Sequence, residues 1–280
     1  MTAIDIDHLK QWLGKERETV DTISPRLAAG LNAVLDADCD PAEGDEAPPG
    51  IHWCLSPDIA PMSGLGPDGH PARGGFLPPV PFPRRMWAAG HLQFHGKFLV
   101  GDRVTRRSRI SDISLKQGRS GPLCFVVVDH DHHTDRGLVL SERHDIVYRE
   151  LDTGPAPPPA PPVEPKPASR SEQIAATPTL LFRYSAVTAN SHRIHYDRPY
   201  CLDEEHYPGL VVHGPLQATY LLRMAQQING GKLPATFSFR GQQPLFDGQN
   251  FRICANEEIG QTSLWTENAA GHTTMTASAS

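Results

Sequence analysis

Paired cysteines are missing. The five present, at 39, 54, 124, 201 and 254, are scattered with no Cys-x-x-Cys spacing. That spacing argues against a disulfide framework or a thiolate zinc site, and free thiols of a reducing cytoplasm are expected. No apolar run approaches the roughly 20 residues of a membrane span. Basic residues are in deficit: 26 Lys plus Arg stand against 32 Asp plus Glu, a net charge of −6 and a pI near 6.1. This balance argues against nucleic acid as the main partner. The opening MTAIDIDHLK carries two early acids and no apolar core segment. Neither a signal nor a transit peptide is expected, and a cytoplasmic location follows.

What is present is organised around residues 183–231. Residues 211–229 read as a helix apolar on most of its circumference, with Leu216, Tyr220, Met224 and Ile228 recurring every four residues. Gly214 is the expected N-cap, Pro215 suits the first turn, and Gly230-Gly231 supplies a left-handed stop. Four extended runs follow: TFSFRG, NFRICAN, TSLWTE and HTTMTAS. Their period-two alternation predicts an antiparallel sheet wrapped around the helix.

The first half repeats this plan. Residues 5–36 read as two helical pieces, the second opened by Ser24-Pro25 and carrying Leu27, Leu31, Val34 and Leu35 on one face. That second piece is the expected central helix. Residues 37–85 hold eleven prolines, which deny a long helix or a central strand and predict an irregular insertion covering a cleft. From 86 to 150 the pattern is β-rich, with turn signals at Gly118-Arg119-Ser120-Gly121 and Thr134-Asp135-Arg136-Gly137. Eight prolines in residues 155–167 mark a linker. The expected domains are therefore 1–152, a linker over 153–168, and 169–280, with the two sheets pairing edge to edge.

Chemistry is concentrated in Asn190-Ser191-His192-Arg193-Ile194-His195 and Val212-His213-Gly214-Pro215. The first N–H groups of a helix have no intrahelical partner and carry its positive dipole end. At Gly214, which has no side chain to block approach, they can stabilise an oxyanion. His195 is the nearest proton-transfer group, and Asn190 can hold a water against it. The run Asp129-His130-Asp131-His132-His133 invites a metal reading, but strand neighbours point to opposite faces and no second ligand cluster has metal-finger spacing. No metal is expected. The histidine constellation occurs once, so the second module is expected to supply the chemistry and the first an acyl or CoA channel.

FRYSAVTANSHRIHYD followed by YPGLVVHGPLQA resembles the MaoC-like, (R)-specific enoyl-CoA hydratase family. FPRRMWAAG and GRSGPLCFVVV extend the resemblance into the first half. The general family motif Gly-Asp-x-Asn-Pro-aliphatic-His is kept at Ile194 and His195. Ala189, Asn190, His192 and Arg193 replace its glycine, aspartate, asparagine and proline. The match is better with the double-hot-dog branch that hydrates mesaconyl-C4-CoA and itaconyl-CoA. The resemblance implies an α+β double hot-dog, two antiparallel sheets each wrapped around a central apolar helix. It implies a hydro-lyase acting on a short branched dicarboxylic enoyl-CoA, with citramalyl-CoA as product, and a catalytic set of His195, Asn190 and Gly214.

A buried substrate carboxylate needs a cation, best a guanidinium. Arg85 is the leading candidate among Arg84, Arg85, Arg183, Arg193 and Arg198, with Tyr196 and His213 as further substrate-binding residues. No cofactor is expected, coenzyme A being part of the substrate, and a homodimer or larger homo-oligomer is the expected assembly. A long-chain hydroxyacyl-thioester dehydratase of fatty-acid synthesis and a non-catalytic acyl-CoA-binding subunit remain open at this point.

Overall fold

The structure is a computed structural model that describes residues 4–118, 121–150 and 160–280. The first half runs α1 (Ile6–Leu9), β1 (Glu16–Thr22), α2 (Pro25–Val34), β2 (Arg84–Phe94), β3 (Arg103–Gly118), β4 (Gly121–Thr134) and β5 (Gly137–Arg149). The second runs β6 (Arg170–Ala175), α3 (Pro178–Val187), α4 (Gly214–Ile228), β7 (Thr236–Gly241), β8 (Asn250–Glu258), β9 (Gln261–Glu267) and β10 (Thr273–Ala279). All strands join one antiparallel ten-stranded sheet, ordered β1-β3-β4-β5-β2-β7-β10-β9-β8-β6. The order reads alike from either end, with β1 answering β6 and β2 answering β7. Two hot-dog sheets thus meet edge to edge along β2 and β7, as the duplication of motifs predicts.

The seam depends on a missing side chain. Gly90 of β2 lies opposite Phe239 of β7, and a methyl group on Gly90 would overlap the Phe239 ring. Below the seam, α4 buries Leu216, Tyr220, Leu221, Met224 and Ala225 against β7–β10 and β2. Each leucine or methionine among them contributes about 1.5–3 kcal/mol on removal from water. Gly230 and Gly231, at φ 65° and 84°, end the helix as predicted. Its cap differs by one residue: His213 occupies the N-cap position, and Gly214 is the first helical residue.

The halves are not equal. Strand β1 separates α1 from α2, where two helical pieces were expected over 5–36; the alternating exposure of Glu16–Thr22 shows an edge strand with one face half-covered. In chain order α2 answers α3, and the two pack together. Gly30 of α2 sits so close to Val187 that an added methyl would stand 3.3 Å from it. The place of α4 in the first half is taken by residues 35–83, which have no α-helix or strand and only two 3-10 turns, Ile51–Cys54 and Met62–Gly64. This segment is pinned by Ala47 N to Phe98 O and Val100 N to Asp45 O, both 2.9 Å, and it buries Ile51, Val80 and Phe82. A chain this rich in proline cannot repeat a helix of α4's length. It leaves a space where a helix would have stood.

All five thiols are free. No helix among the described residues is long and apolar enough to cross a membrane. The end of the proline-rich segment runs along the second half, with Val163 N donating to Ala270 O at 2.9 Å and Lys166 N to Glu267 Oε1 at 3.1 Å. Residues 119–120 of the first turn and 151–159 of the linker lie outside the described residues.

Candidate active site

Helix α3, capped by the Thr177 hydroxyl, stops at Thr188, and Ala189 turns the chain with φ 48°. Asn190 then donates its backbone N–H to Ser185 O at 2.8 Å, and its Oδ1 accepts from His192 N at 3.0 Å. This local turn starts the 3-10 segment Arg193–His195. His195 is 7% exposed and donates Nδ1–H to Val211 O at 2.7 Å, so Nε2 carries the free lone pair. Its ring stacks on His213, 3.5 Å between centroids, and His213 Nε2 meets the Ser185 hydroxyl at 2.9 Å. Burial pushes the His195 imidazole down to about 4, so it is a neutral acceptor at physiological pH. No side chain caps α4, whose first N–H groups begin next to this stack.

A loop from the first half closes on this turn. Arg193 N donates to Asp68 O at 2.9 Å, and Ser191 Oγ to Gly69 O at 2.5 Å. A side chain on Gly69 would collide with the Ser191 carbonyl. Asp68 Oδ2 bonds His70 Nδ1 at 3.0 Å, and its Oδ1 accepts from His70 N, also at 3.0 Å. The His70 ring lies 4.1 Å from that of His192, which is 5.5 Å from that of His195. Donor atoms of Asp68, His70 and His192 fall within 4.8 Å of one another. Both Asp68 oxygens are already engaged by His70, however, and His192 meets that pair through a ring contact only, so Asp68 and His70 form a hydrogen-bonded pair rather than part of a ligand set.

The space left by the missing helix is a cavity of about 570 Å³, walled by Asn190, Pro215, His70, Trp53, Trp87 and Arg85 among others. Arg85 and Trp87 reach it through a bulge between Trp87 and Ala89. Counting alternate residues back from buried Leu92 through Gly90 would turn Ala88 and Met86 inward instead. Arg85 stands beside the Tyr148 hydroxyl. The wall's other guanidiniums are occupied. Arg17 pairs with Asp58 at 2.6 Å, Arg73 donates to the carbonyls of Val80 and Phe82, and Arg106 to those of Leu55 and Ser56. Among the described residues, Arg85 is the cavity arginine with no recorded carboxylate or carbonyl partner.

Of the expected catalytic set, Asn190 lines the cavity, whereas His195 and Gly214 are not wall residues, although Pro215, next to Gly214, is. The remaining sequence candidates sit elsewhere. Arg183 is exposed on α3, outside the cavity wall. Arg193 is held by Asp197 at 2.8 Å and by Pro67 O at 3.0 Å, so it staples the two loops together. Tyr196 is 49% exposed, its hydroxyl donating to Ser191 O at 3.1 Å. His213 is fully buried behind His195.

Sequence reasoning missed the cavity floor. His130 and His132 of β4 and Glu142 and His144 of β5 all turn inward, with His52 and Trp53 above them. Trp53 Nε1 donates to Glu142 Oε1 at 2.8 Å. Burial lowers His52 to about 3 and His144 to about 4. The alternation in VVVDHDHH and SERHD, read as two facing strands, was the available signal. Asp68 and His70 pair two residues apart, but nothing local shows that this pair meets the turn at Ser191–Arg193, more than a hundred residues on.

A long buried helix beside a proton-accepting histidine, wrapped by one half of a paired sheet, defines a hot-dog thioester hydratase or dehydratase. The chain belongs to the hydroxyacyl-thioester dehydratase type 2 family, which matches residues 50–247. It is 42% identical over 270 residues to the mesaconyl-C(4)-CoA hydratase of Chloroflexus aurantiacus, covering 95% of each chain. In fold it is similar to a MaoC-like dehydratase from Phytophthora capsici, with TM-score 0.71, 16% identity, and 99% and 98% of the chains covered. It is also similar to a Mycobacterium tuberculosis protein with a double hot-dog fold, with TM-score 0.59, 14% identity, and 95% and 96% covered.

Proposed function

We propose that this protein reversibly adds water across the double bond of a short branched dicarboxylic enoyl-CoA, mesaconyl-C4-CoA or itaconyl-CoA, giving citramalyl-CoA. The observation that carries this reading is Arg85, a guanidinium without a carboxylate partner set among Trp87, Tyr148 and His70 in the cavity. A terminal carboxylate entering the cavity would find its charge partner there. The wall mixes apolar Ile59, Phe76 and Leu77 with Arg85 and the imidazoles of His52, His70, His130 and His144, and a long alkyl chain would leave that guanidinium without a partner, which disfavours the fatty-acid dehydratase reading. The likeness to a mesaconyl-C(4)-CoA hydratase over 95% of both chains supports the same choice.

In this mechanism the thioester carbonyl lies at the uncapped start of α4, where N–H groups and dipole stabilise the enolate oxygen. The β-carbon becomes electrophilic, and His195 Nε2 accepts a proton from the attacking water. Asn190 has its Oδ1 committed to His192 N, so its amide N–H groups are left to orient water; an amide has no basicity to offer. No cofactor takes part. His195→Ala, assayed by loss of the enoyl-thioester absorbance of mesaconyl-C4-CoA, should lower kcat about 10²- to 10⁴-fold. A residual rate within a few-fold of wild type would refute the role of His195.

A further inference from the structure

We propose that His70, anchored by Asp68, is a second catalytic proton-transfer residue, so that the first half supplies chemistry as well as a channel. The inference rests on the hydratase reading above. Its starting point is a deficit: position 190 is an amide, and no carboxylate from the second half stands beside His195 in its place. The structure brings one from the other half. Asp68 holds His70 by two hydrogen bonds of 3.0 Å, to backbone N and to Nδ1. His70 lines the same cavity as Asn190 and Pro215, and with Nδ1 taken by Asp68 the ring nitrogen left for chemistry is Nε2. The loop is fixed against the catalytic turn by Arg193 N to Asp68 O and Ser191 Oγ to Gly69 O. These bonds, the Arg193 guanidinium and the His70–His192 ring contact dock the loop, so the Asp68 carboxylate is not needed to hold the two halves together.

The charged groups facing His70 set its behaviour. Burial, Arg73 and Arg85 disfavour its protonation, and Asp68 favours it. His192 and His195 both feel its charge, so protonating one of the three imidazoles disfavours protonating the others. In the forward step a water O–H bond breaks and its oxygen bonds the β-carbon. Its proton passes to an imidazole nitrogen, and the π pair moves through the α-carbon onto the thioester oxygen. When the enolate collapses, the α-carbon takes a proton from His70 or His195. The sum is addition of one water, with no oxidation or reduction. Asp68 balances the imidazolium charge that Asn190 cannot.

Two variants test this. His70→Gln should lower kcat/KM for mesaconyl-C4-CoA by at least about 10²-fold. Asp68→Asn should lower the plateau and move the acid limb of the kcat/KM profile to lower pH, because it removes the group that raises His70's proton affinity. Loss of a merely structural contact would depress the plateau and leave the limb in place. His70→Gln within threefold of wild type, or an unmoved limb in Asp68→Asn, overturns the proposal. If His70→Gln does not fold, the Asp68→Asn profile decides. A wild-type protein inactive on every enoyl-CoA would instead sink the hydratase reading itself.

Discussion

Replacing Arg85 with Met removes a charge but keeps an unbranched stem of similar reach. The geometry fixes what should follow. Arg85 projects from the bulged part of β2 into the cavity wall, and no other wall arginine is free to take its place. A charge-assisted, two-point contact with a substrate carboxylate contributes about 2–3 kcal/mol in a partly wet site. Each 1.36 kcal/mol is a factor of ten in rate, so kcat/KM for mesaconyl-C4-CoA should fall about 30- to 150-fold. Crotonyl-CoA ends in a methyl group and presents no carboxylate, and its kcat/KM should change less than threefold. Both are read as the initial decline of enoyl-thioester absorbance under subsaturating substrate. An equal loss on the two substrates would mean that Arg85 serves the CoA moiety or the fold, and the dicarboxylate assignment would lose its physical support.

Ala189 holds a left-handed conformation at φ 48°, which costs a non-glycine residue about 1–2 kcal/mol. Ala189→Gly should therefore stabilise the protein by about 0.5–1 kcal/mol after the entropy of an unfolded glycine is subtracted, raising Tm by about 1–3 °C; a lowered Tm in a thermal melt would contradict this account of the turn. Stability should also depend on the buried imidazoles. His52, His144 and His195 are depressed to about 3, 4 and 4, so they stay neutral in the fold while the unfolded chain binds protons below about 6.5. Their contribution is intact above 6.5 and is lost as pH falls towards 4, at up to about 1.4 kcal/mol per pH unit for each. The urea midpoint should drop steeply between pH 6.5 and 5, and a flat midpoint would show that these rings are not buried neutral.

The second half was legible because its signals are local. Period-two runs give β7 to β10 nearly to the residue, and the four-residue recurrence from Leu216 to Met224, with glycines at 230 and 231, gives α4. His195 and its relation to the start of α4 follow from eighteen residues of spacing. The first half resisted for the opposite reason. Whether α2 answers α3 or α4 depends on what packs against it, and Gly30 against Val187 is a contact across 157 residues. Arg85 faces the cavity only because an extra residue, Ala88, shifts the alternation of β2. Arg193 resembled a substrate ligand in sequence, yet Asp197, four residues on, was its partner all along. Linear spacing found the groups capable of chemistry; tertiary docking decided which of them face the substrate.

The central claim is that a cavity built by both halves hydrates a short enoyl-CoA bearing a second carboxylate. The most direct measurement is kcat/KM of the wild-type chain on mesaconyl-C4-, itaconyl-, crotonyl- and long-chain enoyl-CoA, with products identified by mass. The account predicts that a dicarboxylic thioester gains one water and is preferred over crotonyl-CoA by the same factor of about 30 or more that Arg85 contributes. A preference for the long-chain thioester, or equal rates on mesaconyl-C4- and crotonyl-CoA, would contradict it.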